Sequence, residues 1–321
     1  MLSAGLALAG AIIYGAADFL GGLAAKRLRS IVVTSAAAAS GFVALALALP
    51  FVGGEWAAAD IGWGVLAGAF GVIAIALLYA CLAIGPMSIL SPLTAVVSAI
   101  APMLWGLLIN GETLSPLGYA GLGVALIAVV LVGFIPGEKV VRPTARGLVM
   151  AVGAGLAIGA FLIVIDQTSP ESGLVPLVMT RVTNMAITFV IIGALIVRAL
   201  QRGRRASSVL EVSGVAVGAT PSGHADLEHA ALAGTPEPPG AGSRARAWWL
   251  AIACGVVDAA ANALLLLALR IGDLTIVSAL TALYPAGTIL LAALVLRERV
   301  AAVQWSGLVA ALVAGGMLAL A

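Results

Sequence analysis

Residues 82–95 read LAIGPMSILSPLTA, and residues 269–282 read LRIGDLTIVSALTA. Eight positions agree, among them Gly85 with Gly272, Ser91 with Ser278 and Thr94 with Thr281. Shared greasiness does not align Gly, Ser and Thr, so the agreement marks an internal repeat. After a slip of one residue the match resumes at Glu112 with Glu298, Gly121 with Gly307 and Leu122 with Leu308. The two copies lie far apart, and what separates them decides the architecture.

Outward from the repeat the chain is almost uniformly apolar. Of 321 residues, 62% are hydrophobic and 9% charged, with a mean hydropathy of +1.17. Soluble domains carry about 25% charged residues, so a water-soluble enzyme and a disordered chain are both excluded. A membrane-crossing helix needs about 20 apolar residues. Cutting at charges, Pro and Gly predicts ten spans, at 2–24, 31–53, 61–84, 87–109, 114–135, 147–165, 174–197, 247–269, 274–296 and 300–320. Period-2 alternation is absent, so these are helices of an all-α integral membrane protein rather than barrel strands. The first span lacks a basic start and runs on into Asp18 and Lys26, which reads as a retained helix. Residues 199–245, rich in Arg, Pro, Gly and Ser, read as a flexible loop. His224 and His229 lie there, in what reads as a solvated polar stretch rather than a metal site.

The repeat pairs spans four and five with nine and ten. Each unit therefore holds five helices, at 1–138 and 139–321, and an odd number turns the second unit upside down in the bilayer. Inverted repeats of this kind accompany alternating-access transport, with the substrate near the midplane between the halves.

Polar side chains inside spans are expensive, so each is a candidate for function. Asp258 falls at the centre of the eighth span, with Asn262 one turn along the same face. It can bind a cation, exchange protons with substrate, or serve as a clamp to Asn or Arg. Tyr14 and Asp18, one turn apart in the first span, can point into one cavity; Asp18 can instead reach the interface or pair with Lys26 or Arg27. Arg181 and Asn184 share a face of the seventh span. The arginine can hold a substrate carboxylate, neutralise Asp258, or snorkel to the surface. Tyr79, Trp63, Trp105 and Tyr284 can line an apolar cavity, but aromatic residues near span ends more often anchor at the interface, as Trp63 is read to do, and Trp248 and Trp249 suit that interfacial belt. Gly155 and Gly159 form a GxxxG pattern that permits close helix contact. Glu112 and Glu298 fall at helix C-termini, where the dipole disfavours them, and their recurrence suggests a turn or hinge.

The sequence holds neither a GxxxxGK[ST] loop for ATP nor a histidine in any span, and both lysines fall in loops. No cofactor is expected. Cys81 and Cys254 lie in apolar runs, as small buried side chains do.

Ten helices as five plus five, with a Glu closing the fourth and ninth spans, resemble the EamA-like branch of the drug/metabolite transporter superfamily. Glu112-Thr113-Leu114 before Gly121, and Glu298-Arg299-Val300 before Gly307, carry the likeness, as does Pro285 ahead of Glu298. The first half departs from it: Ala99 stands where Pro285 stands, and Pro102 follows three residues later. The resemblance covers nearly the whole chain outside 199–245. It implies a secondary transporter that exports a small metabolite or amino acid; a lipid or lipid-linked carrier flippase is the alternative. The partners expected are a small-molecule substrate, the bilayer and protons, with no nucleic acid.

Orientation follows from the loops. Those after spans 1, 5, 7 and 9, with the adjoining helix ends, carry Lys26, Arg27, Arg29, Lys139, Arg142, Arg146, Arg198, Arg202, Arg204, Arg205, Arg244, Arg246, Arg297 and Arg299. The opposite loops carry Arg270 alone among basic residues, with Glu55, Asp60, Asp166 and Glu171. The positive-inside rule then puts loop 199–245 in the cytoplasm and both termini outside, for a protein of the plasma membrane.

Overall fold

The structure, a computed structural model, describes residues 1–25, 27–82, 87–133, 144–203, 205–209, 241–296 and 301–321. It is helical, 87% helix with no strands among the described residues. The chain forms α1 (Leu2–Ala25), α2 (Ser30–Val52), α3 (Ala58–Leu82), α4 (Met87–Leu108), α5 (Pro116–Val132), α6 (Ala145–Asp166) and α7 (Val175–Gln201). After 209 the described chain resumes with α8 (Ala241–Ile271), α9 (Leu274–Thr281), α10 (Tyr284–Leu291) and α11 (Ala302–Ala319). Among the described residues eight segments are long and apolar enough to cross a membrane, and Leu93–Leu108 and Pro116–Val132 add two shorter apolar helices.

The helices begin where local chemistry permits. Ser115 caps α5 by accepting a hydrogen bond from the Gly118 N–H, and Pro116 fills the first helical position, where no N–H is needed. Thr144 caps α6 in the same way through Gly147. Outward faces carry large apolar side chains: Phe51 is 90% exposed, Val190 71% and Leu312 70%. Hydrocarbon, not water, suits such a surface, and the chain is a multi-pass membrane protein.

Two expectations need correction. The span predicted at 274–296 is broken. After α9 the backbone makes a turn at Ala282 and Leu283, α10 follows, and Ala292–Leu296 continues as a π-helical turn. Pro285 lies just past this break and has no N–H for the Thr281 carbonyl, although α4 holds Pro92 and Pro102 without breaking. The chain tightens instead through Leu283 N–H to Leu280 O (3.1 Å) and Ala286 N–H to Leu283 O (3.0 Å). The ends of the stretch predicted as a loop at 199–245 are helical, since α7 extends to Gln201 and α8 starts at Ala241, while 204 and 210–240 lie outside the described residues. His224, His229, Glu298 and the 138/139 repeat boundary lie outside the described residues.

Small residues set the packing. Gly155 and Gly159 press α6 onto α4: a Cβ on Gly155 would stand 2.7 Å from the Thr94 carbonyl oxygen, and one on Gly159 would stand 2.9 Å from Ala101 Cβ. Gly15 brings α1 against α10, where a Cβ would lie 2.6 Å from Thr288 N. The principal pairings are α1 with α8, α3 with α6, α2 with α8, α3 with α7, α4 with α6, and α1 with α9 and α10. In addition α5 packs on α11, α2 on α7 and α4 on α9.

Candidate functional site

An ion pair lies in the protein interior. Arg181 on α7 donates through Nη2 to Oδ2 of Asp258 on α8, with the residues only 6% and 1% exposed. Asn262, one turn along α8, donates its amide to the same Oδ2 at 3.3 Å and to the Asp258 carbonyl at 2.8 Å. Asp258 Oδ1 has no hydrogen-bond partner among the described residues. The stem of Arg181 crosses α2 beside Gly41, where a Cβ would stand 3.4 Å from Nε. Of the roles open to Arg181, snorkelling to the surface is therefore overturned: a short α2 residue lets the guanidinium turn inward. Asn184, one turn further on α7, is buried, and its Oδ1 is without a partner among the described residues.

Beside the pair is a cavity of about 500 Å³, counting its open mouth. Tyr14 of α1 and Ser98 of α4 line one part of it. Ile158, Phe161 and Leu162 of α6 line another, with Asn262 and Leu265 of α8. Ser278, Thr281, Ala282 and Tyr284 complete the wall, so the break between α9 and α10 opens onto the cavity. Asn262 belongs to both features: it lines the cavity and bonds Asp258, whereas Arg181 and Asp258 are not in the wall. Asp18 is fully buried and is not among the residues that line this cavity with Tyr14. Of the aromatic candidates Tyr284 is in the wall, while Trp63 and Trp105 are each 36% exposed and outside it. The side chain of Tyr79 lies outside the described residues.

A second polar cluster, not foreseen from sequence, ties together one end of the bundle. Glu112, beyond the end of α4, accepts the Leu274 N–H at Oε1 and the Thr275 N–H at Oε2, both at 2.9 Å. It thus sits at the N-terminus of α9, where the helix dipole favours a carboxylate, as well as beside the last turn of α4 at Gly106. Asn110 bridges Glu112 and Asp166 at 3.5 and 3.3 Å. Arg270 donates to the Thr168 carbonyl, to Thr168 Oγ1 at 2.9 Å and to Ser172 Oγ at 2.9 Å. Asp60 accepts from Ser169 N at 2.8 Å and Ser169 Oγ at 2.7 Å. Burial and the Glu112 charge raise the pKa of Asp273, the residue preceding α9, above its ordinary value. The one sequence signal was Arg270, the lone basic residue among the loops of that face.

No curated protein matches the sequence significantly. A solved crystal structure, titled only as that of a protein, superposes with a TM-score of 0.69 at 14% identity, covering 99% of this chain and 96% of its own. That likeness is one of fold. The model of the EamA-like transporter family matches residues 230–320, which include α8, α9, α10 and α11. That stretch, which holds the cavity-lining break and Asp258, is similar to the EamA-like transporter family, part of the drug/metabolite transporter superfamily.

Proposed function

We propose that the protein is a secondary transporter that exports a small metabolite by alternating access between two inverted five-helix units, 1–138 and 139–321. The observation that carries this reading is the cavity: both units line it, and the helix broken at residues 282–283 opens onto it. The packing supports the internal symmetry. Exchanging each of the first five spans with its counterpart turns the α1–α8 pairing into α6–α3, and α2–α8 into α7–α3. The α4–α6 pairing likewise becomes that of α9 and α10 with α1. Opposed orientation draws support from Glu112, which joins the end of α4 to the beginning of α9, so these counterparts run in opposite senses.

In this reading the face closed by Glu112 and Arg270 is external in the plasma membrane, and the basic loops are cytoplasmic. Asp258 is the coupling group. A proton on its carboxylate removes the charge that holds Arg181, so the two protonation states favour different arrangements of α7 and α8. Asn184, Asn262, Tyr14 and Tyr284 serve substrate or proton passage, while buried Asp18 has a supporting part.

The test compares metabolites of cells with and without the protein. One compound is expected to accumulate outside expressing cells, and Asp258→Asn should abolish the accumulation driven by a pH gradient while leaving exchange intact. Identical metabolite profiles would overturn the transport reading. Removal of one partner of the pair, as in Arg181→Met, should cost about 3–5 kcal/mol, because a buried charge loses its counter-ion. The double change Arg181→Met with Asp258→Leu should recover most of that loss in a thermal unfolding measurement.

A further inference from the structure

We propose that the cavity takes an uncharged, mainly apolar small molecule bearing a hydrogen-bond donor, such as an aromatic alcohol, and discriminates against ions. This deepens the transport reading and rests on it.

Three observations lead there. First, the wall contains no ionisable carboxylate, amine or guanidinium. The nearby charges, Arg181 and Asp258, are spent on each other, and the Asn262 amide that lines the cavity is engaged by the aspartate. An ion entering this wall would lose its hydration without gaining a counter-charge, a cost that an uncharged ligand avoids.

Second, the aliphatic hydroxyls of the wall, those of Ser98, Ser278 and Thr281, have already committed their protons, while the phenols of Tyr14 and Tyr284 line the wall beside them. Ser98 Oγ donates to the Ala95 carbonyl at 2.8 Å, Ser278 Oγ to the Thr275 carbonyl at 3.0 Å, and Thr281 Oγ1 to the Val277 carbonyl at 2.7 Å. Each hydroxyl has two acceptor lone pairs besides its single donor. What these three groups have left to offer is therefore acceptance, which selects a ligand that donates. Third, Phe161, Leu162 and Leu265 supply apolar surface to the wall.

The experiment titrates the full-length protein in lipid nanodiscs with four compounds of one skeleton: phenylbutanol, its methyl ether, phenylbutyrate and phenylbutylamine. Leu162→Trp, which fills the cavity, separates site binding from partition into lipid, and its thermal unfolding is checked against that of the unaltered protein. A second cavity-filling variant, Ala282→Phe, serves if the first fails to fold. Phenylbutanol is expected to bind about tenfold tighter than either ion and than the ether, and to lose that binding in the filled variant; tenfold corresponds to about 1.4 kcal/mol. Site-dependent binding of an ion equal to or tighter than that of the alcohol would overturn the substrate class and leave transport standing. Equal binding of alcohol and ether would overturn the donor requirement. Site-dependent binding of none of the four would overturn the class as well, whereas transport itself fails only through unchanged metabolite profiles.

Discussion

The fourth span and its counterpart in the second repeat begin from nearly the same sequence and end as different objects. α4 runs unbroken from Met87 to Leu108, whereas the second copy divides into α9 and α10 and then a π-helical turn. One contrast lies at a single position, although α4 itself holds Pro92 and Pro102 without breaking. Ala99 keeps its backbone N–H and continues α4; Pro285, its equivalent, has none and lies just past the end of α9 at the cavity wall. The neighbours diverge too, since Ser98 places a small hydroxyl in the wall where the second repeat places Tyr284. α4 is moreover held along its length by α6 through Gly155 and Gly159, while α9 is held at its start by Glu112. In the transport cycle proposed above, the first copy would serve as the fixed wall and the second as the jointed segment, because a gate must move against something that does not.

The largest expected effect comes from erasing that asymmetry in the wrong direction. Ala99→Pro would break α4 where it is buried against its neighbours, and should cost about 3 kcal/mol or more, seen as loss of the thermal unfolding transition or of folded protein. The reverse change, Pro285→Ala, restores an N–H to the joint. It should leave the protein folded with an unfolding temperature equal or higher, while slowing exposure of the cavity to the two sides of the membrane. Faster exposure would show that the joint is not a hinge.

Glu112→Ala removes the carboxylate from the start of α9 and should destabilise by about 1–2 kcal/mol, the range of a lost cap with its dipole interaction. Hydrogen exchange should then quicken at residues 274–281 and not in α4. The smallest effect is at Asp273, which lies outside the spans. Its folded-state pKa is raised, so between the ordinary value of 3.8 and the raised one the folded protein holds a proton that the unfolded chain has lost. That contribution to stability is present at low pH and disappears as pH rises through the folded value. Asp273→Asn should flatten this part of the stability profile by well under about 1 kcal/mol.

Sequence reasoning reached the parts of the molecule that local pattern controls. Apolar length placed the spans, and GxxxG marked the α6 surface that meets α4. The i, i+4 spacing also put Asn262 beside Asp258. It treated Pro285 as a mark of resemblance and still read 274–296 as one helix, although an interior proline carries its own penalty. Long-range contacts were beyond it. Glu112 meets Leu274 across 162 positions, and Arg181 meets Asp258 across 77, so no periodicity selects either pair. The Arg181–Asp258 pairing stood among the options because a buried charge needs a partner. The Glu112 contact did not, because the dipole of its own helix was weighed and the end of another was not.

The central claim is that the cavity is exposed to each side of the membrane in turn, with the Glu112–Arg270 face closing one route. It can be tested without a known substrate, by placing a single Ser278→Cys in the cavity wall of protein that lacks Cys81 and Cys254, in sealed vesicles of uniform orientation. The account predicts labelling by an impermeant thiol reagent from either side. Coupling Asn110→Cys to Asp166→Cys with a short cross-linker beforehand should then block labelling from the sealed side only. Labelling from one side alone, unchanged by the cross-link, would contradict it.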